Sequence, residues 1–213
     1  MVPSHQLLCG IPLRRSEQGA STCWLRTKYP DVISAGVAES ASIHAIVDFY
    51  EYDQHLAEAL AEVSTRCQER MAATVEAVDA EWGKGKAAQS ALKILFGQNT
   101  SVGTPMGDVD FLYMLGDSVA SQVQYGSKFR ICNALEQLPD SVDGRARVKH
   151  WANFTLSTYG QDWASSMWYN SETMRITAPG SDARSWYALQ KHVQQRFSCR
   201  TTDAAALMII NFV

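Results

Sequence analysis

From about residue 44 to residue 82, apolar side chains recur at steps of three and four, a spacing that gathers them on one face of a helix. Ile46, Phe49, Tyr50, Leu56, Leu60, Val63 and Cys67 form the first part of the stripe. Met71, Val75, Val78 and Trp82 resume it until Gly83 and Gly85 break it. A shorter helical run, AAQSALKILF, ends at Gly97, and QNTSVGTPMGD has the Gly, Pro, Ser, Thr and Asn content of a loop. Asp108 or Asp110 can then cap a helix with Leu112, Leu115, Val119 and Val123 on its apolar face and Gly126 as its stop. Residues 145–159 repeat the pattern ahead of Gly160. No fixed-period repeat runs through these segments, so the middle of the chain reads as an irregular all-helical domain rather than a solenoid.

The N-terminal stretch has a different grammar. ASTCWLRTKY, at 20–29, reads as a helix stopped by Pro30, which has no N–H to continue it. VISAGVAESA comes next, small and β-branched, as a short buried strand. Helix then strand is the local order of an α/β protein.

Composition narrows the partners. A net charge of -3 over 213 residues, with the signs interspersed, gives no electrostatic reason to expect nucleic acid or an anionic membrane. No apolar stretch reaches the roughly 18 residues that cross a bilayer. The opening MVPSHQLLCGIPLRR lacks the basic start and apolar run of a secretory signal. The five cysteines (Cys9, Cys23, Cys67, Cys132, Cys199) include no CxxC pair. Two sequons, Asn99-Thr100-Ser101 and Asn153-Phe154-Thr155, hint at a secretory history.

Candidate chemistry is sparse. His5, His44, His55, His150 and His192 are far apart and form neither HExxH nor HxH, so no metal or other cofactor is expected. His55 lies at the edge of the first apolar stripe and reads as a surface or packing residue. Asp108 with Asp110 suits a helix start, where the dipole favours negative charge, and Glu76 with Asp79 reads as a solvated i,i+3 pair. Trp163, Trp168, Tyr169, Trp186 and Tyr187 fit an aromatic core better than a ligand platform. Ser16-Glu17-Gln18-Gly19 ahead of a helix is half of a nucleophile elbow, in which small residues around the serine permit a sharp strand-to-helix turn. Arg14 and Arg15 stand where small residues belong, and by pattern alone Ser16 reads as a loop serine or helix N-cap.

The segment GASTCWLRTKYPDVISAGVAESASIHAIVDFYEYD resembles the stretch after the catalytic serine in the prolyl carboxypeptidase and dipeptidyl peptidase II family of serine exopeptidases. The family pattern is Gly-Gly-Ser-Tyr-x-Gly, a helix ending in Arg-x-Lys-Tyr-Pro, then a strand rich in Gly, Ala and Ser. Arg26, Lys28, Tyr29, Pro30, Gly36, Ala38 and Ser40 match it. DFLYMLGDSVASQVQYG with Cys132 after it, then SMWYN and ARSWY, resemble the family's helical insert.

The resemblance implies a mainly α chain: the helical cap domain of an α/β-hydrolase with a remnant helix and strand of the core. It divides the chain into a core remnant at 1–43, a cap at 44–180 and a divergent tail at 181–213. Aligned on Gly19, Ser16 takes the nucleophile position, and the backbone N–H of Glu17 takes an oxyanion-hole position. Peptides are the implied substrates, with lysosomal or secreted placement, and Cys67 with Cys132 is the implied disulfide pair.

Three departures limit this. Arg14, Arg15 and Glu17 replace Gly, Gly and Tyr, the tail after ARSWY does not match, and the family's Asp and His have no counterpart here. The expectation is an incomplete, inactive fragment of a truncated or shifted reading frame. Its strand at 32–41 would lack neighbours, and its exposed apolar face would favour association with further copies. The alternative is a non-catalytic helical module that binds a protein partner.

Overall fold

The computed structural model describes residues 13–41, 50–99, 105–165 and 169–176, in two compact units, Met1–Val47 and Asp48–Val213. Ile46, Phe49, His44, His192, Trp168, Trp186 and Tyr187 lie outside the described residues.

The first unit is a strand–helix–strand. Strand β1 (Leu13–Arg15) runs directly into helix α1 (Ser16–Lys28), and strand β2 (Val37–Glu39) returns parallel to β1, with Leu13 opposite Val37 and Arg15 opposite Glu39. The strand expected at 32–41 is therefore shorter, and it has a neighbour. It is also not buried, because Val37 is 51% exposed and only α1 packs on the two-stranded ribbon among the described elements of this unit. α1 begins four residues before the expected helix and ends ahead of Pro30 as expected.

The second unit is helical: α2 (Glu51–Ala61), α3 (Thr65–Trp82), α4 (Lys86–Leu95), α5 (Asp108–Gln124), α6 (Lys128–Glu136), α7 (Gly144–Tyr159), a 3₁₀ turn at Trp163–Ser165 and α8 (Ser171–Ile176). The long apolar stripe is two helices. The break comes at Ser64, whose extended backbone and hydroxyl, accepting from the Cys67 N–H at 3.0 Å, make it the N-cap of α3. Asp143 caps α7 the same way through the Ala146 N–H at 2.9 Å. Asp108 is the first residue of α5 rather than its cap, which is Gly107. Gly126, at φ 79, stops α5 in the left-handed conformation that glycine adopts freely.

The apolar faces meet in one core. Leu60, Met71, Phe96, Phe111, Met114, Ile131, Leu135 and Val148 are all almost fully buried, with Trp82 stacked on Phe111 at 5.6 Å. Around it, α3 and α6 are fastened by covalent and polar links. Cys67 and Cys132 form a disulfide closing a separation of 65 residues. One turn on, buried Arg70 donates to the Leu135 carbonyl at 2.6 Å and to that of Leu138, and pairs with Asp140 at 2.6 Å. The Leu135 carbonyl lies in the last turn of α6 and that of Leu138 just beyond it, where the helix dipole favours a cation. Ser64 Oγ adds a bond to Glu136 at 2.6 Å.

A second buried cation joins α4 to α5. Lys93 Nζ donates to the Met106 carbonyl at 2.7 Å and to Asp108 at 2.8 Å, while Lys86 reaches the same carboxylate at 2.6 Å. Gly97 permits a third close approach. It sits at φ +93, and a Cβ there would fall 2.3 Å from the Gln161 carbonyl oxygen.

Arg147 on α7 is equally buried, yet its Nη1 finds no hydrogen-bond partner among the described residues. The two arginines should therefore respond in opposite ways. Arg70→Met should cost about 1.5–3 kcal/mol, because it removes charge-assisted hydrogen bonds to the carbonyls of Leu135 and Leu138. Arg147→Met should be neutral or stabilising, since it removes a desolvated charge and keeps the stem. Urea unfolding monitored by tryptophan fluorescence measures both, and equal losses would refute the distinction. Cys67→Ser should cost about 4 kcal/mol by the loop-closure estimate.

Candidate active site

Ser16 and Glu17 are the first two residues of α1, immediately beyond β1. Strand-to-helix without an intervening residue places their backbone N–H groups among those that have no partner within the helix. Such donors, with the helix dipole behind them, stabilise an oxyanion or any anion. Ser40, just after β2, has a positive φ, at 48°. The register of the parallel pair brings Ser16 and Ser40 to the same carboxyl edge of the ribbon, the edge where open α/β sheets hold their ligands.

The matched positions downstream are structural. Arg26 Nε donates to the Ser34 carbonyl at 3.0 Å, tying the end of α1 to the approach of β2. The Tyr29 N–H closes α1 on Leu25, and the Tyr29 carbonyl accepts from Ile33 at 3.0 Å, so the Tyr-Pro pair forms the turn. Lys28 lies over the Tyr29 ring at 5.7 Å. The arginine, tyrosine and proline thus set the geometry of the helix–strand connection.

In the helical unit the main polar cluster is one that periodicity does not reveal. Tyr169 donates to Asp117 on α5 at 2.6 Å. Tyr159 shares a hydrogen bond with Ser121 at 2.6 Å and donates to the Ser118 carbonyl at 2.9 Å. Trp163 stacks on Tyr159 at 4.9 Å and meets Tyr169 edge-on, which bears out the aromatic-core reading for Trp163 and Tyr169. Burial pushes the Asp117 carboxyl up, partly offset by the Tyr169 hydrogen bond. Burial and then the charge of Asp117 push Tyr52 and Tyr169 up. Two further carboxyls are raised by burial, Asp53 and Asp79, the latter also by Glu76. Asp79 is therefore not the fully solvated group its spacing implied. It lines a cavity of about 40 Å³ with Thr74, Leu112, Gly116 and Trp151, room for water but not for a peptide. His55 is exposed and bonds Glu58 at 3.0 Å, the surface role expected of it.

These shifts give the helical unit a signed pH dependence. A carboxyl whose folded pKa is raised contributes its stability fully below the unfolded value of about 3.9 and loses it as pH rises through the folded pKa. Asp108, held below the usual range first by Lys86 and then by Lys93, does the reverse: its contribution is lost as pH falls. Stability should peak at weakly acidic pH and decline toward neutrality. Asp117→Asn, which keeps an oxygen to accept the Tyr169 hydroxyl, should remove part of that decline. Its unfolding midpoint should gain on the parent's between about pH 4 and pH 7, and a gap constant across that range would exclude Asp117 as a source.

The family described as Serine carboxypeptidase S28 matches residues 15–174, which span α1, β2, α2 to α7 and the first four residues of α8. The chain is 29% identical over 180 residues to the Probable serine protease EDA2 of Arabidopsis thaliana, covering 81% of this chain and 33% of that protein. It is 29% identical over 147 residues to the Thymus-specific serine protease of Mus musculus, covering 67% and 28%. The Homo sapiens protein of that name is 30% identical over 114 residues, covering 52% and 22%. The chain thus spans a third or less of the length of these relatives. No solved structure matches it. With three quarters of its length matched from the residue before Ser16 onward, this chain belongs to the S28 family of serine peptidases.

Proposed function

We propose that this chain is the nucleophile-bearing portion and helical insert of a serine exopeptidase of the prolyl carboxypeptidase or dipeptidyl peptidase type, and that its 213 residues alone do not hydrolyse peptides. The family match over residues 15–174 supports the reading, together with the strand-to-helix junction at Ser16, the position that an alignment on Gly19 gives to the nucleophile. In this reading residues 1–43 belong to an α/β-hydrolase core, 44–180 form the cap and 181–213 are a divergent tail. Ser16 attacks the peptide carbonyl, and the Glu17 N–H helps hold the resulting oxyanion.

Two considerations support inactivity of this stretch by itself. Nucleophile, base and orienting acid act as a unit, so a serine without its histidine and aspartate keeps only a small part of the rate enhancement. Arg14 and Arg15 also occupy positions where the elbow needs small residues. The Cys67–Cys132 disulfide supports a lysosomal or secreted placement, since such bonds persist in oxidising compartments. Exposed Trp24, Leu25, Val32 and Val37 in the first unit support association, with further copies or with more of the parent sheet.

A non-catalytic protein-binding module is the second reading. Tyr125 and Phe129, four residues apart across the α5–α6 junction, are exposed at 79% and 60%, and exposed aromatics are favoured interface anchors.

An active-site phosphonate separates the two. The 213-residue chain should acquire no adduct, whereas a longer product of the same gene that supplies the Asp and His should be labelled at Ser16, and Ser16→Ala should abolish the label. Labelling of the shorter chain would refute its inactivity. An adduct on another serine of the longer product would refute the assignment of Ser16.

A further inference from the structure

We infer that Asn153 is an N-glycosylation site, and that its glycan marks the outward face of α7 as solvent-facing in the complete protein. The sequon Asn153-Phe154-Thr155 lies within α7, and the helix sorts its members sharply. Lys149, Asn153 and Ser157, at four-residue steps, are all exposed and form the solvent stripe. The Asn153 amide makes no hydrogen bond to a described residue. Thr155 points the other way, fully buried, its Oγ1 donating to the Ala152 carbonyl at 2.8 Å. Phe154 packs on Trp151 at 5.0 Å, which fixes the helix rotation that keeps Asn153 outside.

This arrangement has two consequences. A sugar on Asn153 projects from the stripe without displacing any core side chain. A transferase, however, must read the threonine hydroxyl, which the folded helix hides, so attachment precedes the packing of α7. The donor is an oligosaccharide on a lipid pyrophosphate. Asn153 Nδ2 bonds to its anomeric carbon, the bond from that carbon to the pyrophosphate oxygen breaks, and the lipid pyrophosphate leaves with the electron pair as the amide loses one proton. The other sequon is less favourably built: Asn99 already interacts within the fold, and its third residue is a serine.

The inference rests on the lysosomal or secreted placement proposed above, and its test is arranged to separate the two. The full chain carrying a cleavable secretion leader is produced in a eukaryotic host, so entry to the lumen is imposed rather than assumed. Secreted protein is digested with peptide-N-glycosidase in heavy-oxygen water and mapped by mass spectrometry. The peptide spanning Asn153 should carry Asp with the heavy label. Asn153→Gln should lose one gel-mobility step, while Thr155→Ser, which keeps the sequon, should retain it. Unmodified Asn153 in the secreted, disulfide-bonded chain overturns the inference, including where Asn99 alone is labelled.

Discussion

The helical unit depends on how the start of α3 is fastened to the end of α6. Arg70 is the centre of that fastening. Its guanidinium is buried and donates to the carbonyls of Leu135, in the last turn of α6, and Leu138, just beyond it, and to the carboxylate of Asp140. The carbonyls and the acidic partner together compensate the burial of that charge. The disulfide limits the freedom of the unfolded chain, and Arg70 specifies how the two helices meet when folded. Arg66 shares Asp140 at 2.9 Å, and the two arginines together, Arg70 first, hold that carboxyl well below the usual range.

The same logic explains which parts of the fold are legible in the sequence. Periodicity finds α4, α5 and α7 because their apolar faces repeat without interruption and end at Gly97, Gly126 and Gly160. It runs α2 and α3 together because Leu60, Val63 and Cys67 keep helical spacing across the break. Only the extended backbone of Ser64 reveals the cap. Periodicity misses α6 as a helix in its own right, since it is nine residues long with two charges in its first turn. Arg70 and Lys93 are invisible as core residues in sequence, since a charged side chain reads as surface until its partner, dozens of positions away or across a loop, is in place. β1 escapes for a related reason: Leu13-Arg14-Arg15 has no strand pattern alone and becomes one only by pairing with β2.

Motif recognition and spacing supply different information. Arg26, Tyr29 and Pro30 carry the family resemblance, and the structure gives them the shared task of turning α1 back toward β2. The Asp117–Tyr169–Tyr159 cluster lies in matched segments but leaves no mark in the sequence, because hydrogen bonds from α5 to the last residue of α7 and to Tyr169 beyond it have no fixed sequence interval. Its raised carboxyl is a folding property first, and a perturbed pKa alone does not distinguish a structural network from a reactive one.

The junction at Ser16 divides a peptidase's requirements into a backbone part and a side-chain part. Oxyanion stabilisation by main-chain N–H groups depends on a helix starting at that point, and a helix can start there whatever the side chains of Arg14 and Arg15 are. Nucleophile activation depends on an imidazole and a carboxylate brought from elsewhere, and on a strained turn that large side chains oppose. Loss of small residues before the serine therefore costs activation more than charge stabilisation. In enzymes stripped of their triad, oxyanion hole and binding alone still give about 10³–10⁴-fold over water. A helix start after a strand can therefore stabilise an anion without being able to cleave a peptide. For Ser16, the test of peptidase character is therefore reactivity of the hydroxyl, because affinity for an anionic group at the start of α1 would be expected in either case.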